Sequence, residues 1–277
     1  MKVAVIQMVS GADLADNLRQ AAELLSQAAS QGAELALLPE YFCQMGQRDA
    51  DKLSICESLG SGPIQQFLVD AAKDLGLWLA AGTLPLAVDQ IGGQSHSERV
   101  FNSTLVFSPD GSRVARYDKI HLFRFDNGTE HYDESVVLAA GTQPTSFDLP
   151  SRDGHIWRIG LSICYDLRFA ELYRHYASLE AHLLLVPSAF TYTTGQHHWD
   201  VLLRARAIEN LAFVAAAAQG GQHDNGRQTW GHSMLVDPWG LVLAQRPLDA
   251  GVVVAELDFS LLESCRSRLP ALQHRVL

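Results

Sequence analysis

Hydrophobic positions along this chain follow two periods in turn. Short apolar runs at residues 3–8, 35–38, 77–81, 156–163, 183–187 and 213–218 read as strands, separated by segments with apolar residues at helical spacing. Over 14–29, Leu14, Leu18, Ala21, Ala22, Leu25, Ala28 and Ala29 form one stripe, and Gly32 supplies the stop. Further helices are predicted over 64–75, after Gly62-Pro63 and ending at Gly76, and over 168–177 and 198–210. Pro109-Asp110-Gly111 turns a hairpin between 100–107 and 112–117, Asp237 to Gly240 turns another, and 252–257 closes the sheet. The runs at 183–186 and 213–218 alternate poorly, which predicts strands covered on both faces. Strand and helix in alternation predict a layered α/β fold. With no linker rich in Pro, Gly or Ser and no repeat, residues 1–277 read as one domain. Its aperiodic tail, within 259–277, is expected to be an arm reaching a neighbour.

Composition narrows the partners. Hydrophobic residues are 47% and charged residues 19%, ordinary for a globular enzyme. The net charge is −10, from 21 basic and 31 acidic residues, which disfavours nucleic acid or an anionic membrane as partner. The longest apolar run, 211–218, is too short to span a bilayer. Residues 1–16 read as a strand and a helix start rather than a secretory signal. Cys43, Cys56, Cys164 and Cys265 are too scattered for a disulfide framework, so a reducing, cytoplasmic setting is expected.

Three segments carry the chemistry. Cys164 follows the strand 158–163 at a turn into the helix expected from Arg168, where free backbone N–H groups and a helix dipole favour a thiolate. Glu40 ends the apolar strand of Leu35-Ala-Leu-Leu-Pro-Glu-Tyr-Phe42. Lys119 follows the alternating stretch Arg113-Val-Ala-Arg-Tyr-Asp118. Acid, amine and thiol thus each lie near a strand end, where open α/β layers place their sites.

In order and context these segments resemble the signature regions of the nitrilase superfamily of carbon–nitrogen hydrolases, over essentially the whole chain. The resemblance implies a four-layer α-β-β-α sandwich, packed sandwich to sandwich as a homodimer or larger homo-oligomer. It also implies hydrolysis of a linear amide with no cofactor or metal: Cys164 attacks, Glu40 shuttles protons, and Lys119 with the Tyr165 N–H stabilises the oxyanion. Glu134 resembles the superfamily's second glutamate, with Asp133 the alternative by a one-residue slip. Phe190 and Thr191, in Pro187-Ser-Ala-Phe-Thr-Tyr-Thr-Thr-Gly195, are expected to line the pocket mouth, and Arg168 to meet a substrate carboxylate or form a structural ion pair. Asp200 departs from the glutamate common at its position. Within the superfamily the chain is most similar to the amidases acting on deaminated glutathione and on α-keto-acid ω-amides, and Gly226-Arg-Gln-Thr-Trp-Gly-His-Ser233 resembles the former.

Other readings have weaker support. His197 and His198 are adjacent, so on a helix they point about 100° apart and cannot chelate together. No HExxH and no G-x-G-x-x-G after the first strand is present. A Cys–His dyad would need His121 or His232 beside Cys164. Nitrilase, carbamoylase and a catalytically silent binding protein on the same fold remain the alternatives in function.

Overall fold

The computed structural model describes residues 1–88 and 99–276. Its framework is two sheets face to face. In the first, strands run in the order 251–256, 2–7, 35–37, 78–80, 100–107 and 84–87, with 113–118 and 138–139 also pairing with 100–107. The second has the order 146–150, 156–161, 183–185, 213–216, 233–236 and 242–246. Helices α1 (Leu14–Ser30) and α2 (Pro63–Leu75) cover the first sheet. Helices α3 (Ala170–Ser178) and α4 (Tyr192–Asn210) cover the second, and α5 (Phe259–Arg268) follows the last strand.

The strand alternation explains the layering. Val3, Val5, Leu35 and Leu37 point between the sheets, in one core with Ile159, Leu161, Leu183 and Leu185. Their neighbours Ala4, Ile6, Ala36 and Leu38 point outward to Leu25 and Ala28 of α1 and Leu68 of α2. Because both faces are buried, both parities are apolar, which is why these runs look continuous in the sequence.

Several elements differ from the sequence reading. Helix α4 begins at Tyr192, not 198, so part of the expected mouth loop is helical. Arg168 lies in a short 3-10 turn, Cys164–Arg168, and the α-helix starts two residues later at Ala170. The hairpins 124–126/131–133 and 220–222/228–230 and the strands 84–87 and 146–150 were not expected. The tail is not a free arm throughout. In α5, Leu262 and Cys265 are buried and Phe259 packs edge-on to Trp157, with ring centroids 5.2 Å apart. Beyond α5 the described residues are mostly exposed, Val276 to 92%.

Candidate active site

The pocket forms where the C-terminal ends of strands 35–37 and 156–161 meet. Glu40 follows the first and Cys164 the second, and both sit at backbone corners. Tyr41 has φ +58° and Cys164 φ +48°, left-handed values that non-glycine residues adopt only when held. Thr83 Oγ1 accepts the Tyr41 N–H at 2.9 Å, and Pro187 O accepts the Cys164 N–H at 2.9 Å. Asp166 fastens the second corner further. It accepts from the Ile163 N–H (2.8 Å), the Tyr117 hydroxyl (2.7 Å) and the His121 N–H (3.0 Å).

Lys119 joins the acids. Wholly buried, it donates to Glu40 Oε1 at 2.9 Å and reaches Glu134 at 2.8 Å. Glu134 also accepts from the Tyr41 hydroxyl (2.8 Å) and the Phe123 N–H (2.7 Å). Glu40 is 1% exposed and accepts from Asn102 Nδ2 and the Ala189 N–H, each at 2.8 Å. Burial opposes charge on Lys119, yet Glu134 and Glu40 override it and hold the ammonium above its ordinary pKa. Burial likewise opposes charge on Glu134, and Lys119 with the surrounding donors brings that carboxyl below its ordinary pKa. Burial first, then the two carboxylates, push up the Tyr41 hydroxyl, which stays a donor.

Cys164 departs from expectation. Burial and then Glu40 push its thiol well up, and Lys119 only partly counters them. The dipole argument fails because a five-residue 3-10 turn, not an α-helix, starts at the cysteine, and its N–H is taken by Pro187. At the sulfur, burial together with Glu40 and Glu134 outweighs Lys119, so the resting thiol keeps its proton.

Glu40, Glu134 and Cys164 line one pocket with Phe123, Tyr165, Arg168, Ala189, Phe190, Thr191, Thr194 and Arg227, about 280 Å³ of open space. Lys119 lies behind this wall. Asp133 lies outside it, its carboxylate accepting the Ser135 N–H at 3.0 Å, so the one-residue ambiguity resolves to Glu134 as the partner of Lys119. Among the described residues Arg168 makes no ion pair. It stacks over Phe190 and Tyr165, at 5.2 and 5.7 Å from the ring centres, and meets His198 Nδ1 at 3.0 Å. Thr191 precedes α4 at the N-cap position without a side-chain capping bond, its hydroxyl instead 2.9 Å from that of Thr194. Asp200 sits inside α4, half-exposed, 3.6 Å from Arg204. His121 is bound to Asp166 at 2.7 Å and stacked on Phe169, and His232 is stacked on Trp230, so neither lines the pocket. Among the described residues no cluster of three or more His, Cys, Asp and Glu side chains has metal-binding geometry, and no helix is long and apolar enough to cross a membrane.

Sequence reasoning missed Asn102, Tyr41 and the Ala189 N–H. Asn102 had a signal: a polar residue inside the apolar strand 100–107, 2% exposed, needs a buried partner. The backbone donor of Ala189 had none.

Fold and pocket together describe a hydrolytic enzyme with its acid, ammonium and thiol shielded from water. Residues 2–267 match the model of the carbon–nitrogen hydrolase family, and the chain belongs to that family. It is 39% identical to a deaminated glutathione amidase of Synechocystis sp. over 99% of this chain and 97% of that one. It is 34% identical to omega-amidase NIT2 of Homo sapiens, covering 99% and 94% of the two chains. An amidase from Nesterenkonia sp. AN1, solved after Michael addition of acrylamide at its active-site cysteine, superposes with a TM-score of 0.75 at 27% identity, over 98% of each chain. The chain is accordingly an enzyme of the amidase kind.

Proposed function

We propose that this enzyme hydrolyses a linear amide of a small, carboxylate-bearing acid through a thioester on Cys164. The observation that carries the reading is the buried bridge of Lys119 to Glu40 and Glu134 behind the pocket wall that presents Cys164. The thiol proton passes to Glu40 as sulfur attacks the carbonyl carbon. Moving a proton between neighbours keeps the site's net charge unchanged, which a free thiolate beside two carboxylates would not. The carbonyl π pair moves to oxygen, stabilised by Lys119 and by the Tyr165 N–H, too early in its turn for an intrahelical acceptor. Collapse breaks the C–N bond while Glu40 returns the proton to the departing nitrogen. Water then gives a proton to Glu40 and attacks the thioester, and as the C–S bond breaks Glu40 passes that proton to the departing sulfur, restoring thiol and carboxylate. Phe190, Thr191 and Arg168 contact the acyl chain.

The similarity to a deaminated glutathione amidase and to an omega-amidase supports deaminated glutathione or an α-keto-acid ω-amide as substrate. The test is kcat/KM for deaminated glutathione, α-ketoglutaramate, propionamide, N-carbamoyl-β-alanine and an aliphatic nitrile under one condition. A tenfold preference for propionamide or the nitrile overturns the assignment. A homodimer is supported by the exposed apolar group Val201, Ile208, Trp239 and Leu241, where the Arg204 Nε bond to Gly240 O (2.8 Å) ties hairpin to helix. A monomeric mass by light scattering would contradict it. Four free cysteines support a reducing, cytoplasmic setting, and the single core that strands of both sheets share supports the chain acting as one domain.

A further inference from the structure

Beside the catalytic pocket lies a wider groove, about 1350 Å³ of open space, and Arg227 lines both. It stands at the end of a hairpin held from several sides. Asn225 Nδ2 donates to Gly46 O at 2.7 Å, the Arg227 N–H donates to Asn225 Oδ1 at 2.9 Å, and the His223 N–H donates to Arg227 O at 2.9 Å. The side chain is less well served. Its guanidinium lies over the Tyr132 ring at 4.9 Å, its Nη1 has only a 4.0 Å contact with Met45 Sδ, and its Nε is buried without a hydrogen-bond partner. Neither acid of the groove hydrogen-bonds to it: Asp49, whose carboxylate feels the charge of Arg227, is bonded to Lys52 at 2.9 Å, and Glu130 accepts from the Thr193 hydroxyl at 2.7 Å. A half-buried guanidinium with a fixed backbone and idle donors is costly unless an anion completes it.

We propose that Arg227 binds a carboxylate on the amine portion of the substrate, so that the groove selects amides whose leaving group is a short acidic peptide rather than ammonia. This rests on the amide reading above. The acyl part occupies the inner pocket at Cys164, and the leaving amine extends past Arg227 into the groove. For a dipeptide the carboxylate lies at most about 7 Å from the scissile nitrogen. The groove's cations, Arg48 and Lys52 beside Arg227, outnumber its acids Asp49 and Glu130, and of the three only Arg227 lacks a carboxylate within ion-pair distance among the described residues. Deaminated glutathione releases the dipeptide Cys–Gly, whereas an α-keto-acid ω-amide releases ammonia. Arg227 is thereby a specificity residue that separates the two substrates.

The experiment uses three amides of one acyl group: deaminated glutathione, its C-terminal carboxamide, and α-ketoglutaramate. Each is assayed with wild-type enzyme, Arg227→Lys and Arg227→Met. Wild type should prefer the carboxylate over the carboxamide by about 10–100-fold, the worth of a hydrogen bond to a charged group. Arg227→Met should bring that ratio near one, mainly through KM, and Arg227→Lys should retain an intermediate part. The loss on deaminated glutathione should exceed the loss on α-ketoglutaramate by at least tenfold. Equal losses on all three amides would make Arg227 merely structural, and an unchanged carboxylate preference in Arg227→Met would place the anion elsewhere; either overturns the inference. If wild type hydrolyses none of them, the amide reading fails by itself. Calorimetric binding of Cys–Gly and of its carboxamide to Cys164→Ala and Cys164→Ala/Arg227→Met then decides the role of Arg227 independently, a preference lost with the arginine supporting it and no preference refuting it.

Discussion

Replacing Glu134 by Gln tests whether the bridge behind the pocket carries both stability and chemistry. The carboxylate accepts from Lys119, the Tyr41 hydroxyl and the Phe123 N–H, all at 2.7–2.9 Å. A carboxamide has one acceptor oxygen. With that oxygen toward Phe123 and Lys119, its NH₂ must face Tyr41, whose hydroxyl has to turn round and accept. The ion pair is lost and the ammonium keeps Glu40 alone. Removing one partner of a buried pair costs about 3–5 kcal/mol. The surviving hydrogen bonds reduce this to roughly 2–4 kcal/mol, since each bond to a charged group is worth about 1.5–3 kcal/mol. In a chain of this size that lowers Tm by about 3–7 °C. A second readout has the opposite sense. Glu134 is one of the charges that push the Cys164 thiol up, so Glu134→Gln should shift the pH profile of Cys164 alkylation by iodoacetamide to lower pH. Turnover should nonetheless fall, because a Lys119 paired only with Glu40 competes with the proton that Glu40 must accept. Differential scanning calorimetry, quenched alkylation with mass spectrometry and a kcat measurement cover the three claims. A Tm within 1 °C of wild type together with an unmoved alkylation profile would refute the reasoning.

Cys164→Ser and Cys164→Ala should abolish ammonia or amine release while keeping the fold, and the acyl adduct seen by mass spectrometry in quenched wild-type reactions should vanish; more than a few per cent residual turnover in Cys164→Ala contradicts covalent catalysis. Lys119→Ala should lower kcat by about 10²–10³, the usual cost of losing an oxyanion donor, and a variant within threefold of wild type would make the lysine a bystander. Cys43 is buried and its thiol is pushed up to about 12, so the fold binds a proton there that the unfolded chain releases near pH 9. Its contribution to stability is therefore complete below pH 9 and is lost between 9 and about 12, at up to about 1.4 kcal/mol per pH unit. Urea melts at pH 8 and 10 should show Cys43→Ala less sensitive to the rise than wild type, and parallel curves would show that another group carries the dependence. EDTA should leave turnover unchanged.

What could be read from the sequence follows from which interactions are local. The corners at Glu40 and Cys164 end apolar strands, and strand periodicity is written in consecutive residues. Helix α4 is different. Its first turn contains Gly195, a poor helix former that reads as a breaker. In the fold the glycine is there because a Cβ would lie 2.3 Å from Trp230 of a distant hairpin. Strand 84–87 carries Pro85; it pairs with 100–107 on one side and meets just a single bridge, Leu86 to Glu57, on the other among the described residues, a near-edge position that tolerates proline but gives no sequence pattern. The state of the thiol was likewise misread, since it depends on carboxylates arriving from residues 40 and 134. Arg227 stood inside a stretch singled out by resemblance, yet its idle donors appear only once Tyr132 and Met45 are brought against it.

The first sheet places its earliest strand inside and its latest strand at the rim. Strand 2–7 is flanked on one side by 35–37 and on the other by 251–256, with Val5 opposite Val253. A chain emerging from the ribosome therefore holds one side of residues 2–7 unpaired until some 250 residues have followed, with its outward amides open to any other extended segment. Such long sequence separation slows the final closure. Chains stopped short of residue 251 should be aggregation-prone rather than partly active. The order of synthesis makes completion of the sheet a late checkpoint, and truncation a hazard to protein quality control instead of a milder form of the enzyme.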